Sequence, residues 1–196
     1  MGRGPLAGAV VWPAVIMPLG EGELIEGIDD SKKLKPEERE RLAALIRERA
    51  IAYKICEESS ETIDAINILE ATRLCMKRAV EGLAVQPDVV FTDGNFRLQT
   101  DLPQQNIVRG DALSYTIGAA SILAKVYRDA LMCEYDKLYP QYGFAVHKGY
   151  GTKRHTDAIR EYGLCEIHRR TFTKKFWERA ESAGEQNTLN PSGTKF

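Results

Sequence analysis

The chain has 196 residues, 43% of them apolar, which is enough to bury one core and near the usual size of a single domain. Its 27 basic and 28 acidic residues leave a net charge of -1, so any attraction to nucleic acid must come from local clusters of Lys and Arg instead of a global field. Cys56, Cys75, Cys133 and Cys165 form no C-x-x-C pair, which argues against a zinc ribbon or a secreted disulfide scaffold. With no membrane-length apolar stretch and no signal-peptide pattern, the expected location is the reducing cytoplasm.

Ala7 to Met17 is a Val- and Ile-rich run broken by Pro13 and predicts a buried strand, followed by a Gly-rich loop at Gly20 to Gly27. Pro36-Glu37-Glu38 opens a helix with carboxylates at the positive end of its dipole and Leu42, Leu45 and Ile46 on one face; it should end near Ala50. Ile51 to Cys56 alternates as a half-buried strand does. Ser60 is the expected cap of a helix from Glu61 to Leu83, whose apolar positions keep helical spacing until Gln86-Pro87. Asp88 to Asp93 reads as a short buried strand ending at Gly94-Asn95, Gln105 to Val108 as another, and Ser114 to about Leu138 as a long helix. Tyr142 to Thr152, with three glycines, reads as loop, and Lys153 to Tyr162 as a helix stopped by Gly163. Residues 1–182 would form one domain and 183–196 a disordered tail. The alternation of strands and helices indicates an α/β domain on a central mixed sheet, and such sheets carry catalytic side chains at strand ends, which directs attention to Asp93.

Four features could carry chemistry. The glycines of Gly2-Arg3-Gly4-Pro5-Leu6-Ala7-Gly8 let backbone amides approach a phosphate or sugar beside the forked donor Arg3, or they simply turn the chain into a strand. Asp93 either binds a cation or closes a strand-end turn, and Asp111 either binds a cation or faces the N-terminus of the next helix. As a pair without a His/Cys cluster they suit Mg²⁺ or Mn²⁺ better than zinc; His147, His155 and His168 are expected at the surface or on phosphate. Finally, residues 145–179 hold nine Lys or Arg against four Asp or Glu, with Tyr150 between two glycines. That is a solvated face or a phosphate-contact zone with a ring for a sugar, and Ser31-Lys32-Lys33 has the same two readings.

In this order the segments resemble the ribonuclease HII family from Gly2 to about Phe172. The resemblance is carried by Gly2-Arg3-Gly4-Pro5-Leu6-Ala7-Gly8, Asp29-Asp30-Ser31-Lys32-Lys33-Leu34, the stretch Ile63 to Leu69, Thr92-Asp93-Gly94-Asn95, Arg109-Gly110-Asp111, the stretch Ala119 to Asp129, and His147-Lys148-Gly149-Tyr150-Gly151-Thr152. It implies an RNase H-like fold, a five-stranded mixed sheet with flanking helices and a helical C-terminal extension. The implied activity is hydrolysis on the 5′ side of a ribonucleotide in RNA/DNA hybrids or duplex DNA, with Mn²⁺ or Mg²⁺ held by Asp93 and Asp111. Gly2, Arg3, Gly4 and Tyr150 would recognise the 2′-hydroxyl, Lys32, Lys33, Lys148 and Arg169 would contact phosphates, and the tail would offer a sliding-clamp contact on a monomer. The chain departs from the pattern at its start. The family has an Asp-Glu pair and a small residue before Gly-Arg-Gly, and Met1 occupies the small residue's place. This implies the lack of two of four acidic site residues and of the first, central strand. The expected reasons are a start assigned too far downstream, a genuine loss giving an inactive hybrid-binding protein, or a fragment that folds poorly.

Overall fold

The computed structural model describes residues 1–174; the expected domain end at 182 and the tail from 183 lie outside the described residues. The elements run β1 (Val10–Ile16), α1 (Pro36–Arg49), β2 (Ala52–Glu58), α2 (Ser60–Glu81), β3 (Val90–Asp93), β4 (Gln104–Ile107), α3 (Gly110–Leu113), α4 (Tyr115–Leu138), α5 (Phe144–His147) and α6 (Lys153–Tyr162). Residues 170–174 begin a further helix, so the C-terminal part of the described chain is helical, as expected. The stretch read as loop from Tyr142 to Thr152 contains the single turn α5, bounded by Gly143 and Lys148, both with left-handed backbone.

The strands pair as two ribbons, not as one continuous sheet. β1 and β2 are antiparallel, from Val10 opposite Glu58 to Ile16 opposite Ala52, and β3 and β4 are parallel, from Val90 beside Gln104 to Asp93 beside Ile107. Among the described residues no strand bonds β1 to β3. Pro13 sits within β1 without breaking a rung. Val11 donates to the Met1 carbonyl on the side away from β2, and bonding direction alternates along a strand, so Pro13 also turns its nitrogen away from β2.

α4 is the spine of the molecule. Its first half buries Ala119, Ile122 and Leu123 against Met17, Ile25 and the Leu42–Ala43–Ile46 face of α1. Its second half sends Met132 into a separate core with Leu6, Tyr142, Phe144, Ile159 and Ile167. β1 lies between α4 and α2, with Val10 against Ile63 and Ala71.

Local chemistry explains the helix ends. α1 has Pro36 in its first turn with Glu37 and Glu38, and Arg47 and Arg49 in its last, all complementing the dipole. The cap of α2 is Ser59, whose hydroxyl accepts from the Thr62 amide; Ser60, the expected cap, is one residue inside and donates to the Glu166 carbonyl. α2 also breaks at Asn67, where φ is 66° and ψ is 163°. The Asn67 side chain restarts the helix by accepting from the amides of Leu69 and Glu70. Just before the break, Asp64 accepts from the amides of Arg170 and Thr171, capping the helix that begins at 170.

Candidate active site

Asp93 ends β3, and its Oδ1 accepts a 2.8 Å hydrogen bond from the Gly110 amide. That bond is possible because Arg109 adopts a left-handed conformation at φ 58°, turning the chain out of β4 and into α3. Asp111 follows directly, so the two carboxylates predicted from separate segments line one cleft. Asp111 is not a cap of the long helix: it lies in α3, and Ser114 caps α4 by accepting from the Ile117 amide. Lys32 reaches Asp111 with its Nζ 3.6 Å from Oδ2, a loose contact by an exposed ammonium that adds little stability. Beside it the Ser31 hydroxyl is buried without a partner among the described residues.

A cleft of about 720 Å³ opens between β1 and β3 over α4, lined among others by Gly2, Arg3, Ser31, Lys32, Asp93 and Asp111. Among the described residues no group of three or more His, Cys, Asp or Glu is placed to hold a metal. Two carboxylates, one with an oxygen already ordered by an amide, do form an all-oxygen donor set. It fits a hard divalent ion that retains several of its own waters.

The other wall is the Gly2–Gly8 segment. Arg3 stands out over the Phe96 ring, with its guanidinium carbon 4.6 Å from the centroid, and Phe96 meets Trp12 edge-on at 6.3 Å. Two glycines here are fixed by sterics. Gly2 has φ +83° and a side chain there would begin 2.3 Å from Arg128 Nε; Gly149 has φ +82° and one there would begin 2.5 Å from the Ala7 carbonyl oxygen. Gly149 accepts from the Leu6 amide at 2.8 Å, which ties the Tyr150 loop to the Gly2–Gly8 segment. Tyr150 itself is 45% exposed and does not line the cleft.

Several basic residues expected on phosphate stand elsewhere. Arg169 is fully buried, and its guanidinium donates to the carbonyls of Gly2, Arg3 and Gly8, so no group of it is left to reach a phosphate. Burial, then the neighbouring Arg128 charge, pushes its pKa down to about 9. Lys148 turns its Nζ to the Asp129 carbonyl and Cys133 Sγ, and Lys33 pairs with Asp29 at 3.2 Å. Of the three lysines expected on phosphate, Lys32 is the one that lines the cleft.

The histidines, expected at the surface, are buried and packed together. His147 and His155 stack at 4.4 Å, and His155 Nε2 meets His168 Nε2 at 3.0 Å. His168 Nδ1 accepts from the Cys165 amide, so its Nε2 carries the proton and donates to His155; the other nitrogen of His155 donates to the Tyr150 carbonyl. The chain of neutral rings thereby fixes the tyrosine loop from behind. Burial drives His155 and His168 down to about 4.

Arg128 and Phe96 were not singled out from sequence. Arg128 had a signal: it continues the buried series Ala124, Arg128, Met132 at four-residue intervals, where a charge stands out on an apolar face. Phe96 had none beyond its place after Gly94-Asn95.

The family model described as Ribonuclease HII matches residues 1–180. A protein named Ribonuclease HII from Pelodictyon phaeoclathratiforme is 50% identical over 175 residues, covering 87% of this chain and 85% of that one. The crystal structure of the ribonuclease H2 from Pyrococcus horikoshii superposes with a TM-score of 0.75 at 26% identity, covering 92% of this chain and 95% of that chain. The Archaeoglobus fulgidus protein in a PCNA:RNase HII complex shares the fold at TM-score 0.72, with 24% identity and coverage of 86% and 90%. With 50% identity to such a relative over 87% of this chain and 85% of that one, the chain belongs to the ribonuclease HII family and is a type II ribonuclease H, an RNase H-type endonuclease.

Proposed function

We propose that this enzyme incises the strand on the 5′ side of a ribonucleotide in an RNA/DNA hybrid or in duplex DNA, leaving a 3′-hydroxyl and a 5′-phosphate. It acts with Mg²⁺ or Mn²⁺ at Asp93 and Asp111, as a cytoplasmic monomer. The observation that carries this reading is the single cleft in which Asp93 and Asp111 stand with Gly2, Arg3 and Lys32. When bound there, a divalent ion lowers the pKa of a water and offsets charge on the leaving oxygen. The protein's own groups do the positioning. The Gly110 amide holds one oxygen of Asp93 still, Lys32 balances Asp111 and meets a phosphate, and the Phe96 ring orients the Arg3 guanidinium across the cleft mouth. Tyr150 and the Gly2–Gly4 backbone supply the contacts to the 2′-hydroxyl, the group that separates RNA from DNA. Lys33 and Lys148 join phosphate contact only by leaving their present partners. A sliding-clamp contact through 173–196, nearly all outside the described residues, belongs to the same reading; the PCNA complex of the Archaeoglobus protein supports it, and binding to a purified clamp checks it.

The test is cleavage of a DNA duplex carrying one ribonucleotide, with Mg²⁺ or Mn²⁺ added. Incision 5′ to that ribonucleotide is expected, and D93N should slow it roughly 100-fold or more. Unchanged turnover in D93N removes Asp93 from the reaction. The two-carboxylate donor set also favours a second reading, a hybrid-binding protein without turnover; salt-sensitive binding with no incision in either metal would establish that instead.

A further inference from the structure

Two arginines lie under the recognition segment, and neither is paired with a carboxylate among the described residues. Arg128 is 2% exposed and Arg169 is 0% exposed. Arg128 donates from Nε to Ala9, from Nη2 to Ala7 and from Nη1 to the Lys148 carbonyl. Arg169 donates from Nε and Nη2 to Gly8 at 2.9 and 2.7 Å, from Nη1 to Arg3 at 3.0 Å and from Nη2 to Gly2 at 2.7 Å. Burying a guanidinium without an anion is costly, and among the described residues Arg128 is compensated by backbone carbonyls of the loops around it and Arg169 by such carbonyls and the Phe172 ring, 5.3 Å from its guanidinium carbon.

The consequence follows from peptide geometry. In a planar trans peptide the N–H points opposite to the C=O of the same unit. Drawing the Gly2 carbonyl inward to Arg169 therefore turns the Arg3 amide outward, and drawing the Arg3 carbonyl inward turns the Gly4 amide outward. Neither amide donates to any group among the described residues. At Gly4 a side chain would meet nothing within 4 Å, so the space on the Cβ side of that residue is open. Arg128 adds the second coordinate. By holding Ala7, Ala9 and Lys148 on one rigid fork, it fixes the distance from this segment to the loop that carries Tyr150.

We infer that Arg169, seconded by Arg128, is a positioning residue: it aims the Arg3 and Gly4 amides at an acceptor oxygen of the ribonucleotide and so sets how well the protein tells a ribonucleotide from a deoxynucleotide. This rests on the proposed function above. It differs from a stabilising role because lysine would keep the buried charge and yet lose the fork that grips three carbonyls.

The experiment compares two duplexes of one sequence, one with a single ribonucleotide and one all DNA, binding the full chain in EDTA by fluorescence anisotropy. The ratio of the two dissociation constants does not depend on the fraction of protein folded. The wild type should favour the ribonucleotide duplex, and R169K should lose roughly tenfold of that ratio, the worth of one or two aimed hydrogen bonds. Its all-DNA binding should keep its salt dependence. As a measurement that needs no variant, the Arg3 and Gly4 amide resonances of the wild type should shift with the ribonucleotide duplex and not with the DNA duplex. A ratio above one that survives in R169K, or amide resonances that do not respond, overturns the inference alone. A wild-type ratio of one overturns both the inference and the recognition half of the proposed function.

Discussion

Glycines that look equivalent in the sequence divide into those the fold requires and those it does not. Gly149 has φ +82° and lies against the Ala7 carbonyl, so G149A should cost about 2 kcal/mol or more in urea unfolding, from left-handed backbone and overlap together. Gly4 has neither constraint, so G4A should leave the urea midpoint unchanged while lowering preference for a ribonucleotide duplex, because only a ligand comes close there. Equal effects of both variants on stability would remove this distinction. The histidines make a pH prediction of definite sign. Burial lowers His155 and His168 from about 6.5 to about 4, so the unfolded chain takes up protons first. Their contribution is whole above pH 6.5 and is lost as pH falls toward 4, on the order of 3–5 kcal/mol for the coupled pair. A urea midpoint that stays flat from pH 7 to 4.5 would refute it. At this scale the presence of Asp93 and Asp111 on one cleft was legible only from the pair, because each alone has a second use, at a strand-end turn or before a helix. Arg169 was not, since it sits in a run of basic residues and nothing in such a run marks which member turns inward.

Asn67 joins two helical segments that the apolar spacing presents as one. The break was invisible in sequence because the periodic positions Ile68, Thr72 and Met76 belong wholly to the second segment and carry the pattern through. What marks it is chemical: a non-glycine residue at φ 66° and ψ 163°, kept there by two hydrogen bonds to its own side chain. N67A should lose that cap and cost about 1–2 kcal/mol in urea unfolding, with N67D retaining most of the wild-type value. An alanine variant as stable as wild type would mean the segment restarts without the cap. The boundaries of the other long helices were legible to within about two residues, because Pro36, Ser114 and Gly163 act locally whatever packs around them, while β1 begins at Val10, three residues later than expected. The exchange of Ser59 for Ser60 shows the limit: adjacent serines offer the same cap, and tertiary contact with Glu166 decides which one is used.

For the molecule as a whole, strand pairing was the least legible property, since periodicity predicts that a strand exists and not which edge it meets. The two ribbons are held in one body by α4, whose small residues let β1 and α1 approach while its far end anchors the tyrosine loop. That arrangement places the carboxylates and the start of the recognition segment on one cleft although they are some ninety residues apart in the chain, from Arg3 to Asp93. Pro13 bears on how such a molecule survives at high concentration. Val11, Pro13 and Val15 present the outer edge of β1, and a strand from another copy would find the Val11 donor already used, none at Pro13 and that of Val15 beyond it. A strand added along this edge would therefore lack one rung at Pro13, which weakens its pairing there without ending the ladder.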